Sequence, residues 1–219
     1  MKTTTQFVTF MTLVPLMLLS MNAAGDSLSL RFLGTGPAIS LDDALAISDV
    51  DLAEDTNLTD DEIEALEINI AACWAVPMVD PASEIPLGTG IDCLYPFDVS
   101  DDPGPGISLQ ALSFFSFDSG TIVTIGLTSV RPFRIGVGDA GGDVTHMTGS
   151  IPADRTGVVG GTGAYAGKEG SARVSGAASL VDFPDFLTFD CLWLIEVEDI
   201  PPGLTRFDND STVPPGVGR

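Results

Sequence analysis

Few side chains in this sequence could carry out nucleophilic or metal chemistry. The chain has three cysteines, Cys73, Cys93 and Cys191, and one histidine, His146. A zinc site usually takes four closely spaced ligands, and no C-x-x-C pair occurs here. Cys93 and His146 could form a nucleophile pair, but no third residue stands out that would orient the histidine. We therefore expect no metal and no cofactor, and the pattern leaves the catalytic residues unassigned.

The cysteines are candidates for a disulfide if the protein folds in an oxidising compartment. Cys73 and Cys93 lie at similar distances from a predicted turn at residues 80–84, so a hairpin would bring them opposite one another. Pairing of either one with Cys191 is equally compatible with a closed sheet. The sequence leaves all three pairings open and one thiol unpaired.

An acidic segment precedes the most apolar part of the chain. Residues 32–130 contain no lysine or arginine, and eleven acidic residues lie within residues 42–67. A calcium loop beginning at Asp55 would need glycine where Asp60 stands and glutamate where Leu66 stands, which argues against an EF-hand. Thr59 and Glu62 have the spacing of a capping box, which predicts a short helix from about Asp60 in an otherwise solvated segment.

The charge balance excludes one class of partner, and the N-terminus indicates an exported protein. The chain has 31 acidic residues against 9 lysines and arginines, a net charge of −22, which excludes nucleic acid as a main partner because phosphates need a basic face. Lys2, the apolar residues 7–19 and the small residues 23–25 are typical of a secretory signal peptide at residues 1–25. No later apolar run is long enough to span a membrane. Asn57 and Asn209 begin glycosylation sequons.

Short apolar runs separated by turn residues predict an all-β fold. The chain contains 24 glycines and 15 prolines, which favours short strands joined by turns. We expect strands near residues 68–77, 85–94, 107–117, 121–127, 142–148, 157–159, 172–178 and 187–197. No crossover helix separates them, so the sheet is predicted to be antiparallel and closed into a barrel. The predicted organisation is a signal peptide at residues 1–25, an acidic segment at 26–67, a barrel at 68–198 and a flexible tail at 199–219.

A glycine-rich string at residues 157–167 is the most distinctive motif. A dinucleotide-binding loop is one interpretation, because the string follows an apolar strand. A phosphate-binding loop must open a helix, however, whereas residues 168–176 contain two further glycines and alternate like a strand. The motif therefore does not favour nucleotide binding.

At residues 158–170 the string resembles the V-V-G-G-T-G-x-Y-x-G-x-x-G run of the allene oxide cyclase and dirigent protein superfamily. The matching glycines are Gly160, Gly161, Gly163, Gly167 and Gly170. Residues 87–93, 115–126 and 189–197 are similar to further blocks of that superfamily, and they occur in the same order. Together the blocks cover about residues 68–198.

The resemblance implies an eight-stranded antiparallel β-barrel with an apolar cavity and assembly as a trimer or dimer. It implies a small hydrophobic ligand, an oxylipin or a phenolic compound, and either isomerase activity of the cyclase type or stereo-directing activity. Cys93 matches a cavity-lining position of the cyclases. The other candidates for the cavity wall or rim are Phe115, Phe117, Arg131, Arg134 and Tyr165. The alternative is a non-catalytic extracellular binding or structural barrel.

Overall fold

The computed structural model describes residues 26–98, 107–132, 144–150, 157–179 and 181–198. The predicted signal peptide, the predicted tail, Arg134 and Asn209 lie outside these ranges. The described residues form nine strands and three α-helices. The strands are β1 (Asp26–Ile39), β2 (Ala72–Val79), β3 (Pro86–Asp98), β4 (Ile107–Phe117), β5 (Gly120–Pro132), β6 (Val144–Ser150), β7 (Val158–Gly161), β8 (Glu169–Ser179) and β9 (Phe186–Glu198). The helices are α1 (Leu41–Ser48), α2 (Leu52–Asp55) and α3 (Asp60–Asn69).

All strand pairs are antiparallel, which confirms the predicted sheet type. The strand order is β4-β3-β2-β1-β9-β8-β6-β5-β7, and β4 also pairs with β5. Strands β6 and β7 both lie between β5 and β8, because each pairs with both of those strands. The stretch of β5 from Ile125 to Gly126 separates the part paired with β7 from the part paired with β6.

Strand β1 is not among the strands that the sequence patterns predict. It pairs with β2 and with β9, so the residues expected to form only an acidic leading segment include a central strand. The alternation of Leu28, Leu30 and Phe32 with polar residues is typical of a half-buried strand. Glycine and proline further along β1, at residues 34, 36 and 37, obscure that pattern.

Strand β9 has the face alternation that the sequence predicts. Phe189, Cys191 and Trp193 are buried, whereas the intervening Leu192 and Leu194 are exposed. The buried residues of β9 join a cluster that we call the central cluster, and the sheet face that carries it is called the central face. The central cluster includes Leu30, Phe32, Trp74, Val76, Met78, Phe115, Ile122, Val158, Val174, Phe189, Cys191, Trp193 and Ile195.

Aromatic rings fill the middle of the central cluster. The ring centroids of Phe32 and Phe115 are 5.2 Å apart, those of Phe32 and Trp193 are 5.3 Å apart, and those of Phe115 and Trp193 are 5.0 Å apart. Phe189 adds an edge-on contact to Phe32, with ring centroids 6.4 Å apart. Aromatic pairs at these separations contribute favourable contacts beyond their buried area.

The connection from β1 to β2, residues 41–70, carries α1, α2 and α3 and is called the helical cover. Its apolar residues pack on the other face of the sheet, the helix-side face, in a second cluster that includes Ala44, Leu52, Leu66, Cys73, Ile91, Cys93, Leu112, Phe114 and Val123. Helix α3 begins at Asp60 behind a capping box formed by Thr59 and Glu62, as the sequence predicts. The acidic segment is therefore folded against the sheet by its apolar residues.

Main-chain contacts attach the helical cover to the sheet at β7. Thr56 forms an isolated bridge with Gly160, and the Asn57 amide donates to the Val159 carbonyl at 2.8 Å. Gly160 has a φ of +148°, and a β-carbon on it would overlap the carbonyl oxygen of Asp55. Gly160 thus permits a close approach between the cover and the sheet.

Replacing Gly160 with alanine should lower the free energy of unfolding by about 1–3 kcal/mol, because both the backbone conformation and the contact with Asp55 become strained. Gly167 is the matched control: its φ is +68°, but a β-carbon there has no neighbour within 4 Å. Urea titration of both variants would measure the difference. An equal effect of Gly160→Ala and Gly167→Ala would show that the close approach of the cover does not matter.

Candidate functional site

A buried carboxyl group, Asp92, lies on the central face of β3. Its neighbours Ile91 and Cys93 point to the helix-side cluster, so strand alternation turns Asp92 toward the central cluster. Asp92 is 1% exposed. In register it lies opposite Trp74 of β2 and Ser113 of β4, and the Ser113 hydroxyl donates to Asp92 Oδ1 at 2.6 Å.

Burial raises the pKa of Asp92 from 3.8 to about 7, and the hydrogen bond from Ser113 opposes part of that rise. A carboxyl group loses the hydration of its charged form when it is buried, so the neutral form is favoured. A carboxyl group with a pKa near neutrality can both accept and release a proton at physiological pH. Asp92 is therefore the residue in the described chain best suited to proton transfer.

Cys191 is the free cysteine of the described chain and lies on the same central face. Burial and, to a lesser extent, the nearby charge of Asp92 together raise the pKa of its thiol to about 12. Its Sγ donates weakly to the carbonyl oxygen of Ala177 at 3.4 Å. Because the thiolate is the reactive form of cysteine, Cys191 is a packing residue and a poor nucleophile.

A small cavity lies beside Ser113 and Trp193. Its volume is about 20 Å³, which is room for one water molecule. The lining residues are Ala111, Ser113, Thr124, Ile125, Gly126, Leu127, Thr128, Ala172, Val174 and Trp193. They come from β4, β5, β8 and β9, at the level where β5 passes from pairing with β7 to pairing with β6.

The structure places Cys93 away from the central cluster. Cys73 and Cys93 are register partners on β2 and β3 and form a disulfide. Both are fully buried in the helix-side cluster. The pairing across a hairpin is thus the one present. The side chain of Cys93 points to the face under the helical cover, and the expectation that it lines a ligand cavity stays a prediction.

The aromatic candidates lie on the central face, as expected for cavity-wall or core residues. Phe115 is fully buried in the central cluster. Phe117 and Tyr165 pack against that cluster, with ring centroids 5.5 Å apart. All three contact other side chains of the fold, so they form part of the packed core and its rim.

Of the basic candidates Arg131 and Arg134, only the backbone of Arg131 is described. The backbone of Arg131 lies in β5 opposite that of His146 in β6, and Arg134 is outside the described ranges. Arg173 lies on β8, and its side chain is exposed. In the chain that the structure describes, no group of three or more His, Cys, Asp or Glu side chains is arranged to hold a metal ion.

The glycine motif serves close packing of the backbone. A β-carbon on Gly161, Gly163 or Gly170 would overlap a carbonyl oxygen of Thr121, Ser119 or Glu196, respectively. Gly163 itself has a φ of +56° and begins a single 3₁₀ turn, Gly163–Tyr165.

The glycosylation candidate Asn57 is exposed just before α3, and its side-chain amide donates to Glu169 at 3.5 Å.

Sequence patterns single out neither Asp92 nor Ser113 nor Trp193 as site residues. Asp92 lies in a part of β3 that is buried on both faces, so alternation of apolar and polar residues does not mark it. None of the helices in the described part of the chain is long and apolar enough to cross a membrane.

A scan against models of known protein families finds no match to this sequence, and neither does a comparison with curated proteins.

Proposed function

We propose that the sheet closes into a β-barrel with eight strand positions, in which β6 and β7 share one position. The pairing of β4 with β5 supports closure, because it joins the first strand of the order to the strand next to the last. The central cluster also supports it, because this cluster draws buried side chains from β1, β2, β3, β4, β5, β7, β8 and β9. The central face would then be the barrel interior.

We infer that this barrel is a non-catalytic extracellular binding or structural module. The observation that carries the proposal is the filled central cluster, in which Phe32, Phe115 and Trp193 are in mutual contact and the cavity lined by Trp193 has a volume of about 20 Å³. Sites for drug-sized ligands measure roughly 300–1,000 Å³. An oxylipin or phenolic ligand would have to displace these rings.

Export from the cell is part of the proposal. The predicted signal peptide supports it, and so does the Cys73–Cys93 disulfide, because disulfides persist mainly in oxidising compartments. The acidic surface of the helical cover favours solubility of such a module.

A second candidate function is chemistry on a small molecule at Asp92. The buried carboxyl group with a pKa of about 7 favours this candidate, because strongly perturbed groups cluster at functional sites. Isomerase or stereo-directing activity of the kind implied by the family resemblance stays a prediction. It would need an opening of the central cluster around Asp92 and Ser113.

Ligand-dependent thermal stability separates the two candidates. A ligand present at one hundred times its dissociation constant stabilises a protein by about 2.7 kcal/mol, which raises the melting temperature by several degrees. We expect no such shift when the protein is incubated with a panel of oxylipins and phenolic compounds. Native mass spectrometry of the same samples should show the unliganded mass alone.

Phe115→Ala provides the positive control, because removal of this ring opens an apolar cavity, and such cavities bind benzene. Benzene should raise the melting temperature of Phe115→Ala and leave that of the unmodified protein unchanged; Ile122→Ala is a milder variant of the same kind. A retained oxylipin or phenolic compound, or a benzene shift in the unmodified protein, would overturn the filled-interior proposal and favour the second candidate.

A further inference from the structure

The two tryptophans differ in how their indole N–H groups are satisfied. Trp74 Nε1 donates to the carbonyl oxygen of Pro184 at 3.2 Å. Trp193 Nε1 is enclosed, and no acceptor for its hydrogen occurs in the part of the chain that the structure describes. A buried donor without an acceptor costs about 1–3 kcal/mol. Native proteins rarely leave such a group unsatisfied, and ordered water often fills the role.

The cavity that Trp193 lines has the size and the polarity to hold such a water. About 20 Å³ of space is present, and one water molecule needs roughly 10–15 Å³ together with two to four polar partners. The hydroxyl-bearing residues Ser113, Thr124 and Thr128 line the same space. A cavity lined only by apolar side chains would stay dry, but this one is not of that kind.

Ser113 has the hydrogen-bonding capacity that a water at this point requires. Its hydroxyl hydrogen is directed to Asp92 Oδ1 at 2.6 Å, and its oxygen keeps lone pairs that can accept a second hydrogen bond. Trp193 can only donate. A water between them can accept from the indole and donate to the serine, which satisfies both groups.

We propose that this cavity is a binding site for a single water molecule, which accepts the hydrogen of Trp193 Nε1 and donates to Ser113 Oγ. The water thereby extends the Ser113–Asp92 hydrogen bond into a chain of four groups that joins β9 to β3 through β4. The site goes beyond the proposed function, because it makes the interior a specific polar network and not only a packed apolar core.

The network is compatible with both protonation states of Asp92. When Asp92 is ionised it can only accept, so Ser113 donates to it and accepts from the water. When Asp92 is protonated it can donate to Ser113, which frees the serine hydrogen to turn toward the water oxygen. In both states the water can still accept from Trp193.

Solution NMR tests the site on the ¹⁵N-labelled protein. The indole hydrogen of Trp193 should show a cross-peak to water from direct contact, whereas that of Trp74, which donates to Pro184, is the internal control and should show none. Ala111→Val adds two methyl groups to the cavity wall and should abolish the Trp193 cross-peak. Ser113→Ala keeps the space but removes one hydrogen bond, so the equilibrium constant for binding the water should fall about tenfold and the cross-peak should weaken.

The proposal is overturned if the Trp193 indole hydrogen of the unmodified protein has no contact with water. It is also overturned if the cross-peak persists at full strength in Ala111→Val, because the water would then lie elsewhere. Ser113→Ala gives an independent result should Ala111→Val fail to fold: an unchanged cross-peak in that variant excludes Ser113 as the acceptor.

Discussion

Replacing Asp92 with asparagine will remove a large part of the pH dependence of stability between about pH 4 and pH 7. In the unfolded chain the carboxyl group loses its proton near its ordinary pKa of 3.8, whereas the folded protein holds it to about pH 7. The folded state therefore binds more protons in this window, so the free energy of unfolding falls as the pH rises from 4 to 7. Above pH 7 the contribution of Asp92 to the free energy of unfolding no longer changes with pH.

The expected magnitude follows from the shift of about three pKa units, each of which is about 1.36 kcal/mol. The contribution of Asp92 to the free energy of unfolding should thus be about 4 kcal/mol less favourable at pH 8 than at pH 4. Asparagine keeps the shape and can accept the Ser113 hydrogen bond, so Asp92→Asn should be more stable than the unmodified protein at pH 8. Urea titrations at a series of pH values would measure the difference.

Asp190→Asn is the matched control on an exposed site. Arg31 donates to both oxygens of Asp190, at 2.8 and 3.0 Å, and this interaction lowers the pKa of Asp190. The contribution of this ion pair to the free energy of unfolding depends on pH in the opposite sense. It is present when the pH is above the pKa that Asp190 has in the unfolded chain, and it is lost as the pH falls through the lower pKa that Asp190 has in the folded protein. An exposed pair contributes little. If the free energy of unfolding of Asp92→Asn depended on pH in the same way as that of the unmodified protein, the buried carboxyl group would not be the cause of the fall in stability between pH 4 and pH 7.

Replacing Phe32 with alanine should lower the free energy of unfolding by about 3–5 kcal/mol, the range for a large ring removed from a packed core. Phe32 contacts the rings of Phe115 and Trp193 and has no exposed surface. Its ring also lies over Gly90, where a β-carbon would overlap it. The backbone of β3 cannot move far enough into the space to fill it, so most of the cavity should remain.

The control for Phe32→Ala is Phe186→Ala. Phe186 is also an aromatic residue of the sheet, at the start of β9, but it is 47% exposed, so its truncation should cost about 1 kcal/mol or less. The midpoint of urea unfolding, followed by tryptophan fluorescence, measures both variants. Equal losses for the two variants would contradict the assignment of the central cluster as the main core.

Local patterns predicted those elements whose cause is local. The alternation along β9 is clear because one face of that strand is buried and the other is exposed. The capping box at Thr59 and Glu62 fixes the start of α3 from four residues. Neither element depends on which distant part of the chain packs against it.

The face of Cys93 could not be predicted in this way, because β3 and β4 are buried on both sides. Ile91, Asp92, Cys93 and Leu94 are all buried, so alternation of apolar and polar residues does not mark the two faces. The disulfide partner likewise depends on which strands are neighbours, which is a property of the whole sheet. Asp92 was missed for the same reason.

The helical cover also concentrates negative charge in one segment. Nine of the eleven acidic residues at positions 42–67 are exposed, and this segment has no lysine or arginine. The carboxylates of the cover therefore have no basic residue of their own segment to pair with, unlike Asp190 on β9, which is paired with Arg31. A cationic surface or protein that approaches through solution will be attracted to this segment, and the attraction will weaken as the salt concentration rises.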